Sequence, residues 1–230
     1  MERWLFMGNP GSGKSTLANC LVCEPVFAAG LSFGSGRTLR TQSVERHGLF
    51  FFVSTRNGRV IAEDVATMNT ILSSIAAPNI PFTVIVNHVQ RGQYTRLMEG
   101  GAELQIVTAS ICSGRFATPS IFFVPELPHL SEKENVVAEL PPEMLRVFRE
   151  QIPIFLLEPA LVGSITVSTG AFQSLVDSSE RLTSAYASDN DAVEAKIQTL
   201  TKAMPTFWNT VCLLVSLGFK IWLAVSVGSC

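Results

Sequence analysis

A glycine-rich segment near the beginning of the chain carries the clearest chemical signal. It reads GNPGSGKST, residues 8–16, and contains the spacing G-x-x-x-x-G-K-S. This spacing is typical of a loop whose backbone N–H groups surround the phosphates of a nucleotide, provided that a strand precedes it and a helix follows. Here the apolar stretch WLFM precedes the segment and the amphipathic stretch TLANCLVC follows it. The context therefore favours phosphate binding over an ordinary surface turn.

Each residue type in this segment has a defined task in such a loop. Glycines let the backbone approach the α- and β-phosphates, and Lys14 brings a positive charge to the β- and γ-phosphate oxygens. Ser15 is expected to bind Mg²⁺, and the helix that starts near Lys14 adds its positive end. The predicted nucleotide-binding residues of the segment are Gly8, Asn9, Pro10, Gly11, Ser12, Gly13, Lys14, Ser15 and Thr16.

Length and charge limit the class of protein. The chain has 230 residues and a formal net charge of -2, which suits one nucleotide-binding domain with an appendage. Its basic residues are scattered, whereas a nucleic-acid groove needs a basic stripe that displaces counterions. Nucleic acid is therefore not the expected partner.

The cysteines do not form a recognisable metal site. Cys20 and Cys23 make a single C-x-x-C, and Cys112, Cys212 and Cys230 stand apart. No second pair completes a zinc site, and an odd count without a signal peptide indicates reduced thiols in the cytoplasm. We interpret the C-x-x-C as small apolar residues on a buried helix face.

Alternating apolar and amphipathic segments predict an α/β fold. The expected strands are WLFM, LFFFVS, FTVIVNHV and SIFFVPEL, and AEDVATMNTILSSI is expected to be a helix. The segment GQYTRLMEGGAELQIVTASI is expected to be a helix interrupted at Gly100 and Gly101. This order predicts a mainly parallel sheet with helices on both faces, as in a P-loop NTPase, with the ligand at the carboxyl ends of the strands.

The composition changes after residue 128, and we divide the chain there. Residues 1–128 are predicted to form the nucleotide-binding domain and residues 129–205 a helical extension. In that extension Val193, Ile197, Leu200 and Met204 are spaced four, three and four residues apart. This heptad-like stripe is too short for a coiled-coil assignment and predicts an amphipathic stalk helix.

Residues 206–230 form a hydrophobic tail. Within it, residues 210–228 are mostly apolar, a length that can cross the hydrocarbon core of a bilayer. Lys220 lies near the middle and costs about 2.5 to 3.5 kcal/mol on insertion, which the surrounding apolar residues can offset. We expect a membrane anchor on a cytoplasmic protein; the alternative is a helix packed on the domain or a frayed hydrophobic end.

The choice of base depends on the end of FTVIVNHV. GTPases carry N-K-x-D there, whereas this chain has Asn87, His88, Val89 and Gln90. Gln90 can accept one hydrogen bond from guanine but brings no charge, so guanine discrimination should weaken. We assign Asn87 and His88 to the base; the alternative for His88 is a plain surface residue.

Several segments together resemble the immunity-associated and septin-like group of P-loop GTPases, in the translation-factor-related class. They are GNPGSGKSTLANCLV, FAAGLSFGSGRT, FFFVSTRNGRVIAEDVATMNTIL and FTVIVNHV, within residues 3–125. The resemblance implies that the chain binds GTP or GDP with Mg²⁺. It also implies that Ser15 and Thr38 bind the metal and that Thr38 closes on the γ-phosphate. We assign Thr16 to the α-phosphate and expect that homo-oligomers can form through the nucleotide domain.

The chain departs from that family where hydrolysis is concerned. Such GTPases carry D-x-x-G after the switch threonine, with an Asp that holds Mg²⁺ through water. No aspartate precedes Asp64, and Glu45, the acidic residue between Thr38 and the strand LFFFVS, is a weak substitute in a turn. Asp64 itself is expected at a helix start beyond the strand. The sequence therefore predicts guanine-nucleotide binding with weak or no hydrolysis.

Two alternatives from other classes stay open. The missing D-x-x-G and the altered N-K-x-D also suit an ATP-binding P-loop kinase or ATPase, although no Asp ends a predicted strand near the loop. The other alternative is a membrane-anchored interaction protein whose nucleotide site has degenerated, or a shortened version of a longer GTPase.

Overall fold

The computed structural model describes residues 4–27, 48–75, 80–126, 137–138, 140, 145–146 and 168–203. Thr38, Glu45, Met204 and the hydrophobic tail with Lys220 lie outside these ranges, so the predictions made for them stay predictions.

Within the described residues, the sheet has four parallel strands and one short antiparallel strand. The parallel strands are β1 (Trp4–Met7), β2 (Gly48–Arg56), β4 (Thr83–Val89) and β5 (Ile121–Pro125), and β3 (Arg59–Val60) pairs antiparallel with β2. The order across the sheet is β1, β2, β4, β5. The prediction of a mainly parallel α/β sheet is thereby confirmed.

The helices alternate with the strands and then continue beyond the sheet. They are α1 (Lys14–Val22), α2 (Ala62–Ser73), α3 (Arg91–Met98), α4 (Ala102–Ile111), α5 (Thr169–Ser188) and α6 (Asn190–Ala203). Gly100 and Gly101 separate α3 from α4 with φ angles of 78° and 86°, in the region that residues with a Cβ rarely adopt. The predicted interruption at these two glycines is confirmed.

Both faces of the sheet are buried. Along β2, Leu49, Phe51 and Val53 belong to a core that α2, α3 and α4 cover. Phe50 and Phe52 point the other way and pack with Leu17 and Cys20 of α1. Successive side chains of a strand point to opposite faces, so a continuous apolar run requires cover on both. The interpretation of LFFFVS as such a strand is confirmed.

A tight hairpin returns the chain from the end of β2 to the start of α2. Asn57 and Gly58 lie between β2 and β3 with φ angles of 52° and 76°, as a two-residue turn with both central φ angles positive requires. The Ile61 amide then donates to the Ser54 carbonyl oxygen at 3.0 Å. The first turn of α2 therefore lies beside the carboxyl end of β2.

The last two helices, α5 and α6, pack against α2 and α4. Val193 packs with Ala109 of α4 and Tyr186 of α5, and Leu200 joins the larger core beside the sheet. Val193, Ile197 and Leu200 of the predicted apolar stripe thus pack against neighbouring parts of the same chain. Among the helices that the structure describes, none combines the length and apolar character needed to cross a membrane.

Candidate functional site

The glycine-rich loop, residues 8–13, joins β1 to α1 at the carboxyl edge of the sheet. Gly8, Gly11 and Gly13 have φ angles of 145°, 80° and 88°, which favour glycine at all three positions. A Cβ on Gly8 would lie 2.7 Å from the backbone oxygen of Phe52 in β2. Because that oxygen belongs to a buried strand, only glycine allows the loop to lie so close to the sheet.

Lys14, the first residue of α1, directs its ammonium group back into the loop. The Nζ atom donates to the backbone oxygen of Asn9 at 2.6 Å and lies 3.2 Å from Ser12 Oγ. Burial lowers the pKa of Lys14, and the charge of Asp64 acts in the opposite direction. The ammonium group that is predicted to bind phosphate is therefore positioned by hydrogen bonds to the loop.

Asp64 of α2 lies against the other side of the loop. Its Oδ1 accepts from Asn9 Nδ2 at 2.8 Å, and its Oδ2 accepts from the Ser54 amide at 2.7 Å. Thr67, one turn further along α2, donates its hydroxyl to Asn9 Oδ1 at 3.0 Å. Burial raises the pKa of Asp64, while the Ser54 and Asn9 donors and the charge of Lys14 oppose the rise.

Sequence reasoning placed Asp64 at a helix start but missed its contact with the loop. The residue is far from Asn9 along the chain and does not end a strand. The usable signal was Asn57-Gly58, a strong hairpin signal. A two-residue turn at that point brings the start of α2 back to the end of β2, next to the loop.

The segment predicted to read the base also reaches the loop. Asn87 Nδ2 donates to the Ser12 backbone oxygen at 3.0 Å. His88 is exposed, has a φ angle of 58°, and accepts a hydrogen bond from Thr55 Oγ1 through its backbone oxygen at 2.8 Å. Gln90 is exposed at the start of α3. The structure thus brings Asn87 and His88 close to the glycine-rich loop.

The other residues that were predicted to bind the nucleotide or the metal differ in their solvent exposure. Pro10 and Gly11 are exposed at the tip of the loop, Ser12 is buried, and Ser15 and Thr16 are half-buried in the first turn of α1. Thr38 lies outside the described residues. Within the described part of the chain, no group of three or more His, Cys, Asp or Glu side chains could hold a metal ion.

The two cysteines of the C-x-x-C lie in different environments. Cys20 is fully buried, and burial raises its pKa. Cys23 is exposed at the end of α1 with a φ angle of 57°. The interpretation as residues of a buried helix face therefore holds for Cys20 and is wrong for Cys23, because the helix ends before Cys23 can turn inward.

A cleft of about 370 Å³ lies away from the loop, between α2, the turn after α4, and α5. Asn69 Oδ1 and Ser113 Oγ, on its wall, are buried without a hydrogen-bond partner. None of the predicted site residues lines it. The chemistry-bearing side chains gather at the glycine-rich loop instead, and the loop is the candidate site.

Comparison of the chain with protein-family models, with curated protein sequences and with solved structures finds no match.

Proposed function

We propose that the chain is a P-loop protein with a G-domain-like fold that binds GTP and GDP, and that it hydrolyses GTP slowly or not at all. The observation that carries the proposal is the glycine-rich loop at the carboxyl edge of a parallel sheet, with Lys14 directed into it. In α/β sheets this edge is where ligands bind. The backbone N–H groups of the loop and the start of α1 then supply the remaining positive potential.

The preference for guanine is supported by the place of Asn87 and His88. Asn87 contacts the loop through Ser12, so a base held above the phosphates would lie close to His88. The imidazole ring is exposed and free to stack on a purine. Gln90, two residues further along the chain, offers an amide oxygen to guanine donors.

Mg²⁺ is the metal ion that we propose for this site. Mg²⁺ prefers oxygen ligands, and Ser15 presents a hydroxyl directly after Lys14 in the first turn of α1. Thr38 is the second proposed ligand. When bound, the ion would neutralise charge on the β- and γ-phosphates.

The hydrogen bonds that Asp64 accepts within the protein support the proposal of slow hydrolysis. GTPases of this class use an aspartate to hold Mg²⁺ through water. Asp64 lies beside the loop, but its two oxygens accept hydrogen bonds from Asn9 and from the Ser54 amide. These two bonds give Asp64 a structural role, whereas the aspartate of such GTPases serves the ion and the attacking water.

A binding assay tests the proposal and its ATP-binding alternative together. The full chain is titrated with fluorescent GDP, and the label is displaced with GTP or with ATP. We expect GTP to compete at lower concentration than ATP. Equal competition would favour the ATP-binding alternative, and no binding at all would favour an interaction protein with a degenerate site.

The Lys14→Ala variant examines the phosphate contact itself. Loss of the ammonium group should abolish binding because the charge-assisted bonds to the phosphates disappear. Lys202→Ala is the matched control, since Lys202 is exposed in the last turn of α6. Unchanged affinity in folded Lys14→Ala would contradict phosphate binding by the loop.

A further inference from the structure

The Asn9 side chain is held at both ends by α2. Its nitrogen donates to Asp64 and its oxygen accepts from Thr67. The amide has one favoured orientation, because a flip would place its oxygen against the Asp64 carboxylate, which can only accept hydrogen bonds. The side chain therefore fixes the position of its own backbone.

That backbone carries the contact with Lys14. The Asn9 carbonyl oxygen accepts from Lys14 Nζ at 2.6 Å. The chain of contacts thus runs from Asp64 and Thr67, through Asn9, to the ammonium group predicted to meet the phosphates. Asp64 is only 4% exposed and accepts a hydrogen bond from the Ser54 amide of β2. Its position relative to the sheet is therefore restrained.

We propose that Asp64 and Thr67 are positioning residues that hold the glycine-rich loop in its phosphate-binding shape through the side chain of Asn9. The inference rests on the proposed function for its effect on nucleotide affinity. It assigns to α2 a role that the phosphate-loop motif does not contain, since the motif ends at the start of α1.

The physical basis is the cost of ordering a loop. Glycines lose more conformational freedom on folding than any other residue, and the loop contains three. If the loop is already ordered before the ligand binds, this loss of conformational freedom does not reduce the binding free energy, and the affinity is higher. The hydrogen bonds to Asp64 are charge-assisted and are the stronger kind.

A double-mutant cycle measures the coupling in the full-length protein. Asn9→Ala and Asp64→Asn should each weaken GDP binding about tenfold, which corresponds to about 1.4 kcal/mol. An Asn at position 64 has one oxygen where the aspartate has two, so it cannot serve both donors. Because both residues act through one contact, the double variant should also lose about tenfold rather than a hundredfold.

Two controls lie on the same helix. Glu63→Gln removes an exposed acidic group next to Asp64, and Thr70→Val removes a hydroxyl that donates to the Ala66 backbone oxygen of its own helix. Both should leave GDP affinity unchanged, whereas Thr67→Val should weaken it. Additive effects of Asn9→Ala and Asp64→Asn, or equal effects of the two threonine variants, would overturn the proposal.

Hydrogen exchange without nucleotide separates this proposal from the proposed function. Asp64→Asn and Thr67→Val should speed amide exchange in residues 8–16 while exchange in β4 stays as in the wild type. Faster loop exchange in a protein that binds no nucleotide would refute nucleotide binding and support the positioning role. Unchanged loop exchange would refute the positioning role. If Asp64→Asn fails to fold, Thr67→Val decides, because it removes one half-buried hydroxyl.

Discussion

Asn87 Nδ2 donates a hydrogen bond to the backbone oxygen of Ser12 at 3.0 Å, and this contact joins the end of β4 to the glycine-rich loop. The space between them is filled, because a Cβ on Gly13 would collide with the same Nδ2 atom and would lie 3.6 Å from His88 Nε2. Asn87 can make this contact only if residue 13 has no side chain.

Alanine substitutions at two glycines of the loop should therefore differ. Gly11 and Gly13 both have positive φ angles, but the space around Gly11 is open. Gly11→Ala should cost about 1 to 2 kcal/mol of unfolding free energy from backbone strain alone. Gly13→Ala should cost about 1 kcal/mol more, because the Asn87 bond is also lost, and it should bind GDP more weakly. Thermal unfolding and GDP titration measure the difference; equal effects of the two variants would show that the Asn87 contact is unimportant.

A paired change tests whether residues 87–90 read the base. Replacing His88 by Lys and Gln90 by Asp provides a charged acceptor for the two guanine donors. The ratio of GTP to ATP affinity should rise, because a charged hydrogen bond discriminates more strongly than a neutral one. Competition against fluorescent GDP measures the ratio. If the ratio does not move, another segment reads the base.

Thiol reactivity should follow burial. Burial raises the pKa of Cys112 to about 11, so at pH 8 roughly one thiol in a thousand is ionised. Iodoacetamide at pH 8 should label exposed Cys23 well before Cys20 and Cys112, as peptide mass spectrometry would show. In guanidinium chloride the three should react at similar rates. Native labelling of Cys112 as fast as that of Cys23 would contradict the buried position.

Residues 203–230 should carry a fluorescent protein to membranes. The fusion should resist extraction by high salt and by alkaline carbonate, since burial in hydrocarbon is insensitive to screening. Lys220→Leu should strengthen the association, and charges at Leu214 and Leu223 should abolish it. Recovery of the wild-type fusion in the soluble fraction would favour a helix that packs on the domain, and Leu214→Asp should then lower the melting temperature of the full chain.

The strands and the glycine-rich loop could be predicted because their signals are local. The run LFFFVS predicts a strand buried on both faces, and Gly100-Gly101 predicts a break, from the residues themselves. The neighbours across the sheet are set by long-range pairing, which periodicity does not encode. The sequence could not indicate that Asn87 would contact Ser12, because that contact depends on how β4 and β1 flank β2.

Asp64 shows most clearly what could not be predicted from the sequence. Its place in the first turn of a helix was predictable from the spacing of apolar residues in α2. Its contact with Asn9 depends on a hairpin of two residues and on the depth at which α2 packs against β2. Burial then places its oxygens against the Asn9 and Ser54 donors, and this arrangement comes from packing rather than from the residue types.

The strand order has a consequence for synthesis on the ribosome. The parallel strands are neighbours in the same order as they occur along the chain, so each one can join the edge of its predecessor without opening an existing pair. The contacts that shape the loop, from Phe52, Asp64 and Asn87, all come from residues made before α3. The residues that make these contacts are therefore all present in the nascent chain before α5 and α6 have been translated.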